Sequence, residues 1–183
     1  MDNGASSYRR FLDGDESAFA EIMQELFRGL VFFIDRYVQD VHTAEDIAID
    51  VFSDLVVHKN RYNFKVSLKT YLYMLGRSRA LDYIRRRKTI CFEDISQTEE
   101  LTDESKLLEE MVLRDERKRM INTAIAMLSE DMQVVLHLVY FEDMSYEQTA
   151  KVMKKSRKQV DNLLYRAKKE LRIILGEDGE QLL

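Results

Sequence analysis

The chain has 183 residues, 33 acidic against 28 basic, a formal net charge of -5, 45% hydrophobic side chains, no proline and six glycines. That length supports one ordinary domain or two small ones without metals or disulfides, and the single cysteine, Cys91, rules out an internal disulfide framework. No stretch nears the roughly 18 apolar residues of a membrane helix, and the opening MDNGASSYRRFLDGDE has no apolar signal core, so a reducing, cytoplasmic setting without membrane insertion is expected.

The lack of proline favours long helices, and the fold class expected is all-α. From Glu16 to Tyr37 the apolar residues Phe19, Ile22, Met23, Leu26, Phe27, Leu30, Phe33 and Ile34 follow the three-and-four spacing of one buried helical face. Thr43 with Asp46 has the form of a capping box, and Ile47, Val51 and Leu55 continue a second helix toward His58. The stretch KNRYNFK, Lys59 to Lys65, breaks the pattern and reads as a loop. Ser67 begins a third long helix through Leu68, Tyr71, Leu72, Leu75, Leu81 and Ile84 to the run of Arg85, Arg86, Arg87 and Lys88. Core packing is the plain reading of Tyr73, and Tyr71, in register with Leu68, Leu72 and Leu75, reads equally as core packing or as a surface aromatic. Cys91, between Ile90 and Phe92, reads as a small buried hydrophobe.

From Glu93 to Glu110 there are eight acids and one base, Lys106, without a periodic apolar face over its first half, which marks a linker and a domain boundary. A helix is expected to resume by Leu107 and run to Leu128, and another from Ser129 to Phe141. Ser145 with Gln148, and Ser156 with Gln159, form two successive capping boxes. They leave room for a tight turn at Lys154 and Lys155, the spacing of a helix-turn-helix. Its inward positions are Ala150, Val152 and Met153, then Val160, Leu163, Leu164, Ala167 and Leu171.

Charge is segregated along the chain. Arg77, Arg79, Arg85, Arg86, Arg87 and Lys88 stand against Asp82 alone, and nine bases between Lys151 and Arg172 stand against Asp161 and Glu170. Clustered Lys and Arg on helices are the footprint of phosphate binding, because neutralised phosphates release condensed counterions. The second helix of the turn motif would present Arg157, Lys158, Gln159, Asp161, Asn162 and Tyr165 to the major groove, where Arg and Lys donate to guanine and Asn or Gln pairs with adenine. Lys151, Lys154, Arg166, Lys168 and Lys169 would meet phosphates and set register. His42, His58 and His137 have no metal spacing, and no Gly-rich phosphate loop exists. Neither a catalytic residue nor a cofactor is therefore expected.

Three segments, GDESAF at Gly14, TAEDIAIDVFSDL at Thr43 and SLKTYLYMLGRSRALDYIRRRK at Ser67, resemble region 2 of the extracytoplasmic-function sigma factors of bacterial RNA polymerase. The stretch from Leu128 to Leu171 resembles their region 4. The resemblance implies two small helical domains, region 2 over 8–92 and region 4 over 111–175, joined by an acidic linker at 93–110. It also implies a promoter-recognition subunit. Region 4 would read the minus-thirty-five element and dock on the β flap. Region 2 would bind the β′ clamp helices through Glu45, Asp46, Asp50 and Asp54. It would melt and read the minus-ten element through Asn60, Arg61, Tyr62, Asn63, Phe64, Tyr71, Arg77, Ser78, Asp82, Arg85 and Arg86. An anti-sigma factor is a further implied partner; a small-molecule substrate is not. Ile49, Tyr71, Ser78, Ser129, Lys154 and Asp161 depart from the family's usual residues. A helix-turn-helix regulator working without polymerase, or a sigma-like decoy, is the alternative.

Overall fold

The computed structural model describes residues 4–93 and 116–176, with backbone alone at 90–93 and 116–119. The expected acidic linker, the helical start at Leu107 and the side chain of Cys91 lie outside the described residues. Eight α-helices are seen among them: α1 (Ala5–Leu12), α2 (Glu16–Val38), α3 (Val41–Val57), α4 (Leu68–Glu93), α5 (Glu116–Ala126), α6 (Glu130–Leu136), α7 (Tyr146–Met153) and α8 (Arg157–Leu175). A 3-10 turn covers Lys59–Arg61, and α6 runs into a π-helical turn at His137–Phe141. Among the described residues no helix is long and apolar enough to cross a membrane.

Helices α1 to α4 form the first bundle. The spacing expected for α2 buries Ile22, Leu26, Leu30, Phe33 and Ile34, with Phe19 and Phe27 half-buried against the same core. Gly76 sets the closeness of α2 and α4, since a Cβ there would meet Leu30 Cδ1 at 2.9 Å. Each fully buried Leu or Ile at this contact contributes about 1.5–3 kcal/mol. Helix α3 begins earlier than its sequence pattern implies. Asp40, not Thr43, is the cap: its carboxylate accepts from the backbone N–H of His42 and Thr43, and the Thr43 hydroxyl donates to it. An acid at the N-cap satisfies free amides and complements the helix dipole.

Helices α5 to α8 form the second bundle around Met132, Val134, Leu138, Val152, Met153, Val160, Leu164 and Leu171. Both serine capping boxes are complete, Ser145 with Gln148 and Ser156 with Gln159. Lys154 takes the left-handed turn between α7 and α8, at φ 53°, a conformation that costs a non-glycine residue about 1–2 kcal/mol. The two bundles touch: α7 packs on α4, and α6 meets α2.

Candidate nucleic-acid interface

The first basic surface is the outer side of α8. Capping by Ser156 and the apolar period of Val160, Leu164, Ala167 and Leu171 fix which face is buried. Arg157, Lys158, Gln159, Asp161, Asn162, Tyr165 and Arg166 are consequently all exposed, and Tyr165 is 71% so. Gln159 is partly committed, because its side-chain carbonyl accepts from the Ser156 N–H at 2.7 Å. Arg157 is steadied by Glu147 on α7, 3.2 Å from its Nε, and its side chain stays 72% exposed. Lys168 lies over the ring of Tyr140, 5.2 Å from its centroid, and is half-buried there. A helix start with amides capped and cations outward suits the major groove of duplex DNA.

The second surface is built on α4 and the loop before it. Helical register places Tyr71, Ser78, Asp82 and Arg85 along one face, with Arg86 exposed beside them. Asp82 pairs with Arg85. Arg77 falls on another face: it lies against Tyr37, its Nε is buried without a hydrogen-bond partner, and it adjoins Glu130 of the second bundle. The structure therefore separates Arg77 from the other α4 residues of the expected melting surface.

The loop is more deeply anchored than its polar sequence suggests. Asn60, Arg61 and Asn63 are exposed, and the Asn63 side chain accepts from the Lys65 N–H. Tyr62 is only 3% exposed. It sits among Tyr8, Phe64 and Tyr71, with centroid distances of 5.5, 4.6 and 5.1 Å, and its hydroxyl donates to the Val66 carbonyl. Tyr62 is thus packed inside this aromatic cluster as a support for its neighbours. Phe64, half-buried at φ 60°, and Tyr71 are the aromatics that reach the surface of this cluster. Tyr73, by contrast, is wholly buried.

Residues overlooked in the sequence hold this loop. Tyr8 of α1 is 0% exposed and its hydroxyl donates to the carbonyls of Leu55 and Lys59, binding α1 to the loop's first turn. Burial is the main cause that pushes this phenol up to about 12, keeping it a donor. Arg9 adds a guanidinium 4.9 Å from the Phe64 ring centroid. The alternation of Tyr8 and Phe11 with charged neighbours is the one local signal of α1.

On α3, Glu45 is half-buried, while Asp46 and Asp50 face solvent, Asp50 3.7 Å from Arg79. Asp54 is withdrawn, its side chain 10% exposed and shared among His58, Arg61 and Arg79. Its role is to brace the loop against α4. Next to the open acids lies a shallow apolar groove lined by Phe19, Met23, Ile49, Phe52, Val56 and Val57, in which Ile49 is 50% and Val57 73% exposed.

Family profiles match both bundles: Sigma-70 region 2 over residues 22–90 and Sigma-70 region 4 over 118–171. The chain is 26% identical over 162 residues to the RNA polymerase sigma factor YlaC of Bacillus subtilis, covering 88% of this chain and 94% of that protein. It is 25% identical to the ECF RNA polymerase sigma factor SigX of the same organism, over 86% of this chain and 83% of SigX. Its fold is similar to that of the sigma factor RpoE solved in complex with the anti-sigma factor NepR from Bartonella quintana, with a TM-score of 0.65 at 18% identity, covering 87% and 98% of the two chains. CnrH, solved in complex with the cytosolic domain of CnrY, matches at a TM-score of 0.65 and 14% identity, over 96% and 97%.

Proposed function

Because this chain belongs to the sigma-70 family of RNA polymerase sigma factors, in its extracytoplasmic-function group, we propose a division of promoter recognition between its two basic surfaces. The α8 face reads the minus-thirty-five element as duplex. Arg157, Lys158 and Asn162 meet base edges, Asp161 accepts from a cytosine amino group, and Arg166 and Lys168 meet phosphates. The α4 face and its loop melt and read the minus-ten element. Phe64 and Tyr71 receive an unpaired base, Ser78, Arg85 and Arg86 hold the strand, and Tyr62 supports the ring that receives it. The working boundaries are 8–92 for region 2, 93–110 for the linker and 111–175 for region 4.

The observation that carries this division is the presence, in one chain, of an exposed cationic helix start on α8 and a cationic face of α4 beside a packed aromatic loop. A repressor needs only the first. Docking on the β′ clamp helices is assigned to Glu45, Asp46 and Asp50 together with the apolar groove around Ile49, Asp54 acting from behind. The chain carries no catalytic step of its own and works in the cytoplasm with core polymerase. An anti-sigma factor is proposed as a second partner, since the RpoE chain of similar fold was solved with one. Core polymerase reconstituted with the protein on a promoter library is expected to give sequence-specific transcripts. Failure to obtain any would overturn the assignment.

A further inference from the structure

The contact between the two bundles is built around one acid. The π-helical turn ends at Glu142, whose N–H bonds back to the His137 carbonyl, and the turn swings the Glu142 side chain toward the first bundle. There Lys69 of α4 reaches it twice: Nζ lies 2.7 Å from Oε2, and it donates to the Glu142 backbone carbonyl at 2.8 Å. The two side chains are 15% and 11% exposed. His137 Nε2 stands 3.4 Å from Oε1, and the His137 ring stacks near Phe33 of α2. Gly29 of α2 provides the space, because a Cβ at that position would meet Glu142 Oε1 at 2.5 Å and the Tyr73 hydroxyl at 2.6 Å. Gln148 to Ser67 and Arg36 to Gln133 add two long hydrogen bonds around this centre.

Closure of this kind is incompatible with the proposed promoter contacts. Elements about 25 base pairs apart are separated by roughly 85 Å at 3.4 Å per pair, yet α7 of the reading motif rests on α4, the helix that melts DNA. Lys69 is only two residues from Tyr71 in that helix. We propose that the free chain is held closed by a latch in which Glu142 of region 4 docks between Gly29, Lys69 and Tyr73 of region 2, and that the latch must open before both promoter elements are engaged. The inference rests on the promoter reading above. A buried ion pair suits a reversible latch. As a whole it adds little net stability, so closure is easily undone, whereas removing one partner strands a buried charge and strongly disfavours the closed form.

The test uses the full chain with Cys91→Ser and spin labels at the exposed positions Glu25 and Thr123. The parent is expected to show a single short distance. Glu142→Gln, which strands Lys69, and Gly29→Ala, which changes no charge and improves helix propensity, should each add a longer population. Transcription at limiting protein should rise in both variants, by about tenfold if a tenth of the parent is open. Identical distance distributions in parent and variants would overturn the latch, as would opening without any gain over a parent that does transcribe from the promoter. A distance shift with no promoter-specific transcript from any of the three would support the closure and sink the promoter reading instead.

Discussion

Along α8 the candidate DNA contacts stand on a free helix face, whereas around α4 they are woven into the protein's own bonding. Lys158, Asn162 and Arg166 project from a helix whose start is closed by its own serine and glutamine, and Arg157 beside them is tied only by an exposed pair with Glu147. In region 2, Arg61 is held by Asp54, Arg85 by Asp82 and Tyr62 by three aromatic neighbours, and Arg77 is turned away. A duplex groove is a fixed shape that a rigid helix can match. An extruded base needs a prepared pocket, and such a pocket must be assembled from distant parts of the chain.

The largest effect that would break this contrast is at Tyr8. Replacing it by Ala should cost about 3–5 kcal/mol by chemical denaturation of region 2, and Tyr8→Phe about 1–2 kcal/mol through the lost hydroxyl bonds. Permanganate reactivity at the minus-ten element should fall with both, while region 4 should still bind a minus-thirty-five duplex. Acid comes next, acting on the contact that joins the two regions. Burial alone would raise the Glu142 carboxyl, but the surrounding His137, Lys69 and Tyr73 overcome it and hold the group from 4.5 down to about 2. A depressed acid stabilises the closed form above pH 4.5, and that contribution, on the order of 3 kcal/mol, is lost as pH falls through the range toward 2. The distance distribution should therefore broaden on acidification in the parent and change less in Glu142→Gln.

Smaller in free energy are the base contacts. Arg157→Ala and Asn162→Ala should each remove about 1–3 kcal/mol of discrimination at one base pair, read as promoter-library preference, with no change in unfolding midpoint. If either variant also lost stability, the free-face description of α8 would fail. The smallest effect belongs to the turn. Lys154→Gly should stabilise the protein by about 1 kcal/mol, because glycine adopts the left-handed conformation without the steric cost, with promoter choice unchanged.

The same contrast decides what can be read from the residues alone. Region 4 is legible because its determinants are local: two serine-glutamine boxes eleven residues apart and an apolar period between them. The long helices α2 and α4 are legible for the same reason. Asp40 escapes the pattern because Thr43 and Asp46 fit the box, while the true cap lies three residues earlier. Tyr62 misleads because its burial depends on Tyr8, more than fifty residues away, and on Tyr71 across the loop. Tyr71 and Tyr73 differ by two positions, about 200° around a helix, so only the packing of α4 decides which one is core. The turn of Glu142 into region 2 has no local signature, since its partners Lys69 and Gly29 lie far away in the sequence.

Tyr8 also carries a practical lesson for protein engineering. The family profile begins at residue 22, so a fragment trimmed to that limit would retain every candidate DNA contact and discard the hydroxyl that bolts the loop to α3. Such a fragment would keep its reading surfaces and lose the stiffness of one of them. A fusion partner belongs ahead of α1 with a spacer, leaving Gly4 and the helix start undisturbed.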